Sequence, residues 1–534
     1  MKTNIIKFIE NRWAIILVIL LYSIISFYNL GRSYNPKTYI DYKKGSNITY
    51  KYDNEYISYI DYFSGRYGSN LIISTSYDGV NYSDIYKSEG RSLYPFSWNR
   101  VNLYRNINYI KITFIEESSL GEVSMIDYNH NLIKDNKYRL LSDEGYMHSD
   151  YNYMNSTYFD EVYFARSVYE YKNNLNIYEW THPPLGKMIM ALPVLLTNNF
   201  SPLTYRLSSF IAGILIVYVT YLLCKTLFNY KYAVLGAILV SLDTFHYTYS
   251  RIGTTDSLLT LFIISSIYFM IKYIKTNKLV DLLLSGLLFS FSIATKWSGF
   301  YAGIVLVILY FYSLYKNKNN IYRFLIYGFS FFILIPIILY LVLYLIYPKN
   351  TVVYTSSINK IIDITKQMYS YHSNLTDTHY FSSKFYTWPV CYKPVWLYTI
   401  SYENMRGSIS TIGNMVIWIG GILGFIYSLI RLKKDKVSQL LVITIISLLL
   451  PYMFINRAMF LYHYYPALIF VIIALVNLVY MLDKKIKYSS YIVILCSLIF
   501  FIMYFPVISG IVVKSDYLER LRLFSSWIFW GYYD

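Results

Sequence analysis

The chain has 534 residues, 55% of them hydrophobic, 20% aromatic and only 15% charged, with a formal net charge of +17. An average soluble domain is about 25% charged, so a soluble globular enzyme is excluded and an integral membrane protein is indicated. Three cysteines, Cys224, Cys391 and Cys496, lie far apart, which excludes a disulfide framework and offers no metal-ligand spacing.

The first apolar run, Trp13 to Leu30, has no small-residue cleavage site after it and is expected to be retained in the membrane. Residues 34–138 change character. Short alternating segments such as "NITYKY", "NLIISTS", "RVNLY" and "YIKITFI" are broken by turns such as "SYDGVNYS". Alternation with frequent Gly, Asn and Asp predicts an antiparallel β-sandwich. The order "LIISTSYDG", "FSWNRVNL", "NYIKITF", "GEVSMIDYNHNLI" resembles discoidin-like domains, which would suit recruitment of a sugar-bearing or lipid acceptor. The plainer reading is a structural cap, with Trp98 in its core.

Next comes "STYFDEVYFARS" at 156–167, in which the adjacent acids Asp160 and Glu161 sit among aromatics. "THPPLGK" then leads into a short apolar segment, 185–197, of about thirteen residues, below the ~20 that a spanning helix needs. Pro183–Pro184 suits a helix start. Further runs of spanning length lie near 203–224, 232–250, 257–274, 279–295, 298–315, 323–347, 411–430, 437–455, 459–481 and 489–513, making eleven with the first.

Charge decides the orientation. Lys2/Lys7/Arg12, Lys225/Lys231, Lys272/Lys275/Lys278, Lys316/Lys318/Arg323, Arg431/Lys433/Lys434/Lys436 and Lys484/Lys485/Lys487 all fall on one side if the chain crosses eleven times. The positive-inside rule makes that side cytoplasmic. A crossing at 185–197 would flip every later cluster, so that segment is predicted to lie in the outer interface. The N-terminus is then cytoplasmic, and the C-terminus and the two long segments 31–182 and 348–410 are outside a plasma membrane. The first long segment carries 16 basic and 19 acidic residues. The positive excess therefore belongs largely to cytoplasmic loops and calls for no nucleic-acid partner.

This topology places the unusual polar residues at one face. Asp160, Glu161, Arg166, His182 and Lys187 lie in the first external segment. Arg251 and Asp256 lie between spans three and four, and Lys296 between spans five and six. His379, Ser383 and Trp388 lie in the second large segment, and Arg457 and His463 before span ten. Each has a plain reading. Lone basic residues at helix ends snorkel to the interface, although these lie on the disfavoured side. Asp256 can cap a helix, Asp160–Glu161 can favour a helix dipole, and His463 can be a satisfied interface histidine. Together they fit one reaction. A carboxylate acts as general base on a hydroxyl, and cations offset charge on a phosphate leaving group. Apolar helices flank a lipid tail. That is sugar transfer from a lipid-phosphate donor to a hydroxyl outside the membrane. Nucleotide sugars are poor donors here because they are mainly cytoplasmic. A transporter or flippase would place ionisable residues near the bilayer midplane, not at helix ends on one face.

"YFDEVYFARSVYE…YEWTHPPLGK" closely resembles the first external loop of the protein O-mannosyltransferase family, the dolichyl-phosphate-mannose–protein mannosyltransferases. "SRIGTTDSLLTLF", "ATKWSGFYAG", "HYFSSKFYTWP" and "RAMFLYHYYPALIF" resemble later landmarks in the same order, over about residues 140–475. The resemblance implies the GT-C fold, eleven spans with juxtamembrane helices, and inversion by direct displacement without a metal or cofactor. It makes Asp160 the catalytic base, Glu161 its helper and Asp256 a second acidic site residue. Arg166, Lys187, Arg251, Lys296 and Arg457 become candidates for the donor phosphate, with Lys296 and Arg251 foremost. His182, His379, Trp388 and His463 become supporting residues. Eukaryotic members carry a β-trefoil repeat domain in the second external loop, and 348–410 is too short for one. The chain therefore resembles a bacterial member using an undecaprenyl-type carrier. Mannose and a protein Ser/Thr acceptor are the family default; a lipid or wall-polymer acceptor is the alternative.

Overall fold

The structure is a computed structural model and describes residues 13–133, 151–317, 320–346, 357–376 and 378–530. The basic cluster Lys2/Lys7/Arg12, Lys318 and the predicted domain end at 138 lie outside the described residues. Two units form. One comprises 13–28, 174–192 and 206–530, and the other 29–173 and 193–205, within the described residues.

The first unit is helical because its sequence is apolar over membrane lengths. Among the described residues, seven helices are long and apolar enough to cross a bilayer, including Asp256–Thr276, Ile321–Leu345 and Leu461–Leu482. Trp13–Phe27, Leu185–Thr197, Tyr230–Ser241, Leu279–Thr295 and Met415–Ile430 are shorter apolar helices. The run read as one span at 232–250 is broken. Asp243 caps a second helix, Thr244–Tyr249, by accepting from the His246 backbone N–H at 2.9 Å. A small antiparallel sheet joins β7 (Trp396–Tyr402), β8 (Met405–Ser410) and β9 (Val512–Lys514).

One helical hairpin positions the chemistry. Asp256–Thr276 ends at Asn277, whose left-handed backbone (φ 53°) turns the chain straight into Leu279–Thr295. Serines let the two backbones approach. Ser266 Oγ donates to the Ser285 carbonyl at 2.8 Å, and Ser285 Oγ donates back to Ser266 at 2.9 Å. Small and hydroxyl residues at such crossings are the membrane alternative to apolar burial. An antiparallel pair returns the chain to the level where it began, so the first residue of one helix meets the residue that ends the other.

In the second unit, β1 (Ile40–Tyr42), β2 (Asn47–Ser64), β3 (Leu71–Ser76), β4 (Ser83–Lys87), β5 (Trp98–Phe114) and β6 (Ser118–Ile126) form one antiparallel sheet in the order β1-β6-β2-β5-β3-β4. The expectation of two facing sheets is corrected, among the described residues, to a single sheet. "RVNLY" and "YIKITFI" are two halves of β5, not separate strands. Register shifts between Lys51/Glu55 and Ile57/Tyr59 interrupt the alternation without ending β2. Bulges bend a strand and increase its twist, which allows one sheet to cover a core of Ile57, Ile60, Tyr62, Ile73, Ile110 and Phe114. Trp98 is buried, as the structural reading requires.

Candidate active site

Within the second unit, helix Glu161–Lys172 carries the Asp-Glu pair. Asp160 is its N-cap residue and makes no side-chain cap bond, so its carboxylate is not spent on the helix terminus. Glu161 is fully buried, with Oε2 3.4 Å from the Tyr158 backbone N–H. Arg166 pairs with Glu170 one turn on at 2.9 Å and lies 5.2 Å from the Tyr67 ring. Tyr169 fastens the helix to this unit through edge contacts with Tyr39 and Phe200 and a tilted contact with Phe96.

The first unit brings several distant candidates together. The helical hairpin sets Lys296 Nζ 2.7 Å from Asp256 Oδ1, across 40 residues of sequence. Lys296 also lies 5.3 Å from the Tyr462 ring. Asp256, Lys296, Ser298, Tyr452, Tyr462 and His463 line a small cavity. Trp388 is buried behind it, stacked on His463 at 5.9 Å and held by a 3.1 Å bond from Nε1 to Ser383 Oγ. His379 lies on a loop, 5.0 Å from the Phe460 ring.

A second polar cluster grows from "YEWTHPPLGK". Glu179 Oε2 accepts from Lys187 Nζ at 2.7 Å, and Oε1 lies 2.9 Å from His182 Nδ1. Lys187 is wholly buried and also donates to the carbonyls of Glu179 and His182. An ammonium has three donors, and all three are used. Burial works against a charged Glu179, but the attraction of Lys187 and His182 and their hydrogen bonds outweigh it and hold the carboxyl well below its usual range. Burial lowers His182; Glu179 opposes that, and Lys296 and Lys187 add to it.

His372, on helix Ser357–Asn374, closes this cluster. Its Nε2 donates to the Thr181 carbonyl at 2.7 Å, and its Nδ1 accepts from Arg457 Nη1 at 2.8 Å. Arginine can only donate and a carbonyl can only accept, so the two contacts define a neutral ring with its proton on Nε2. Burial, then the charge of Arg457, moves His372 down to about 4. Its ring lies 5.7 Å from that of His182 and 6.1 Å from that of Trp297. Counting Lys187, Lys296 and Arg457 against Glu179 and Asp256, this neighbourhood has an excess of one positive charge. An apolar groove of about 790 Å³ runs between Ile304 and Ile308 on one helix and Val442, Ile446 and Leu450 on another. Its Pro451 adjoins Tyr452 of the small cavity in sequence.

The family described as "Dolichyl-phosphate-mannose-protein mannosyltransferase" matches residues 181–344, and "C-terminal four TMM region of protein-O-mannosyltransferase" matches 357–527. The chain belongs to the protein O-mannosyltransferase family. It is 30% identical over 202 residues to dolichyl-phosphate-mannose–protein mannosyltransferase 1 of Saccharomyces cerevisiae, a match covering 32% of this chain and 24% of the yeast protein. The chain thus spans about a quarter of that relative's length. Its fold is that of the S. cerevisiae protein O-mannosyltransferase Pmt1–Pmt2 complex bound to the sugar donor. The TM-score is 0.61 and the identity 15%, over 70% of this chain and 89% of that one. This is the helical GT-C architecture, carrying an added β unit.

Within this member of the family, Arg251 stands apart from the cluster of cations. It is buried and donates to the carbonyls of Ser26 and Tyr28 at 3.1 and 2.7 Å, and to the Tyr247 hydroxyl at 2.6 Å. It thereby secures the C-terminal end of helix Trp13–Phe27, where a cation is favourable. Sequence reasoning passed over Glu179 and His372. Glu179 stood inside the quoted motif, with His182 three and Lys187 eight residues on, a spacing that signals a shared carboxylate. His372 had no such signal, because its partners are 191 and 85 residues away.

Proposed function

We propose that the protein is an inverting glycosyltransferase that moves mannose from a polyprenyl-phosphate donor to a Ser or Thr hydroxyl of a protein, at the outer face of the plasma membrane. The observation that carries this reading is the Lys296–Asp256 pair in a small cavity whose Tyr452 follows Pro451 of the apolar groove in sequence. Lys296 and Arg457 suit a phosphate, and the groove suits an isoprenoid tail.

The acceptor oxygen forms a bond to the anomeric carbon as the bond from that carbon to the phosphate oxygen breaks. The leaving polyprenyl phosphate keeps the electron pair, and Asp160 takes the hydroxyl proton. Lys296 and Arg457 offset the charge that develops on the phosphate, which is the step electrostatic preorganisation accelerates. Asp256 holds Lys296 in place, and Glu161 helps position acceptor or donor. We assign Lys187, Arg166 and Arg251 to positioning, because each is committed to protein partners. His182 and His372 orient Arg457 and the loop that bears Thr181. Trp388 and His379 close the site from the second external segment, and His463, before span ten, supports Trp388 by stacking.

The seven long helices, with Trp13–Phe27, Tyr230–Ser241 continued by Thr244–Tyr249, Leu279–Thr295 and Met415–Ile430, support the eleven-span topology. Leu185–Thr197 is then the interfacial helix. The reaction as written uses no metal or cofactor.

The test is Asp160→Asn in the purified protein with a polyprenyl-phosphate-mannose donor. Transfer should vanish while expression and melting temperature stay unchanged; normal turnover would sink the assignment. Glycan mass spectrometry of surface proteins and envelope lipids, wild type against deletion, distinguishes a protein acceptor from a lipid or polymer one.

A further inference from the structure

Helix Ser357–Asn374 has two faces. Ile361, Ile364 and Met368 are buried. Gln367, Ser370, Tyr371 and Asn374, at i, i+3, i+4 and i+7, form a neutral polar face. A solvated helix face is the ordinary explanation for such a pattern. Here, however, the face is one wall of an open cavity of about 420 Å³, and Trp180 and Leu375 complete its lining. That volume lies within the range of ligand sites.

The cavity adjoins the chemistry through two residues. Trp180 sits between Glu179 and Thr181, and Tyr371 precedes His372, while the two aromatic rings meet edge to face at 5.7 Å. An occupant is therefore one residue from the carbonyl that orients His372 and from the carboxylate that holds His182. The lining contains no charged side chain, so it is a poor phosphate site and differs in kind from the Lys296–Arg457 region. Gln367 and Asn374 each offer both a donor and an acceptor, the complement of a peptide group. Asn374 is already oriented by a 3.1 Å bond to Ser370 Oγ. Sugars stack on open ring faces, whereas the 71° angle between Trp180 and Tyr371 turns an edge of one ring towards the face of the other.

We propose that this cavity is the acceptor subsite and that it holds an extended polypeptide through backbone amides, beside the hydroxyl being glycosylated. The inference rests on the reading of the protein as a mannosyltransferase with a protein acceptor.

The test uses the full-length protein, a polyprenyl-phosphate-mannose donor and a pool of synthetic Ser/Thr-containing peptides. Gln367→Ala combined with Asn374→Ala removes two neutral hydrogen-bonding groups. KM for peptide should rise about tenfold or more, with KM for donor unchanged. Lys366→Ala, on the same helix but outside the face, should change neither. A photo-crosslinking residue replacing Tyr371 should capture peptide, and excess unlabelled peptide should compete. An unchanged peptide KM, a shift in the donor KM instead, or capture of polyprenyl phosphate or a glycan polymer in place of peptide overturns the subsite. If wild type glycosylates peptides and the double variant does so equally well, only the subsite fails. If wild type glycosylates no peptide, the protein-acceptor reading fails and takes the subsite with it.

Discussion

His372 is a residue whose role depends on staying neutral. Its Nδ1 faces a guanidinium and its Nε2 a carbonyl, so a second proton would place a cation against Arg457 and remove the acceptor that Arg457 uses. Its unfolded value is near 6.5 and its folded value about 4. A depressed folded value means that the unfolded chain binds the extra proton first as pH falls. The stabilisation is thus complete above pH 6.5, erodes below it and is gone once pH has dropped through about 4. Melting temperature should fall across that window in wild type and fall less in His372→Gln, which keeps a donor and an acceptor but cannot titrate there. Equal slopes for the two proteins would refute the assignment. Lys187 teaches the converse lesson. Its position in "THPPLGK" made it a phosphate candidate, yet burial with Glu179 fills every donor it has. A formal charge is legible in sequence; whether that charge is available to a ligand is not.

At the scale of elements, the Asp256–Lys296 pair depends on close packing around Gly186. A Cβ there would lie 2.7 Å from Thr255 Cγ2 and 2.9 Å from Thr295 Cγ2. Those threonines precede Asp256 and Lys296, so Gly186 seats the start of helix Leu185–Thr197 against both ends of the hairpin. Overpacking of this kind costs about 1–3 kcal/mol. Gly186→Ala should lower the melting temperature and reduce kcat more than it raises KM for donor, because the displaced pair is the one assigned to the leaving group. A variant with wild-type kcat would show that the hairpin ends tolerate the shift. The elements themselves were largely legible. Apolar length marked the helices, and the Pro-Pro start with a short apolar run marked 185–197. The misreadings have local causes. A capping Asp243 split one run of spanning length, and bulges in long strands looked like turns between short ones. Alternation reports which face is buried, but not which strand faces which.

For the whole molecule, the distribution of the +17 charge is itself a testable statement. Cysteine introduced at Asn198 or at Lys433, in a background with Cys496→Ser, should react with an impermeant thiol reagent only from outside and only from the cytoplasm, respectively. Cys224 and Cys391 are buried and should stay silent. Labelling of both positions from one side would overturn the eleven-span orientation. By itself, the sequence determined the membrane class, the helix positions, the existence of a β unit and the family, because hydropathy, charge bias and contiguous motifs are properties read along a chain. The tertiary structure alone decided which cations remain near a cavity and which are tied to carbonyls and carboxylates. It alone showed that His372 orients Arg457, and that a neutral cavity lies beside Trp180. Hydrogen bonding and desolvation depend on distances between residues tens to hundreds of positions apart, and only folding sets those distances.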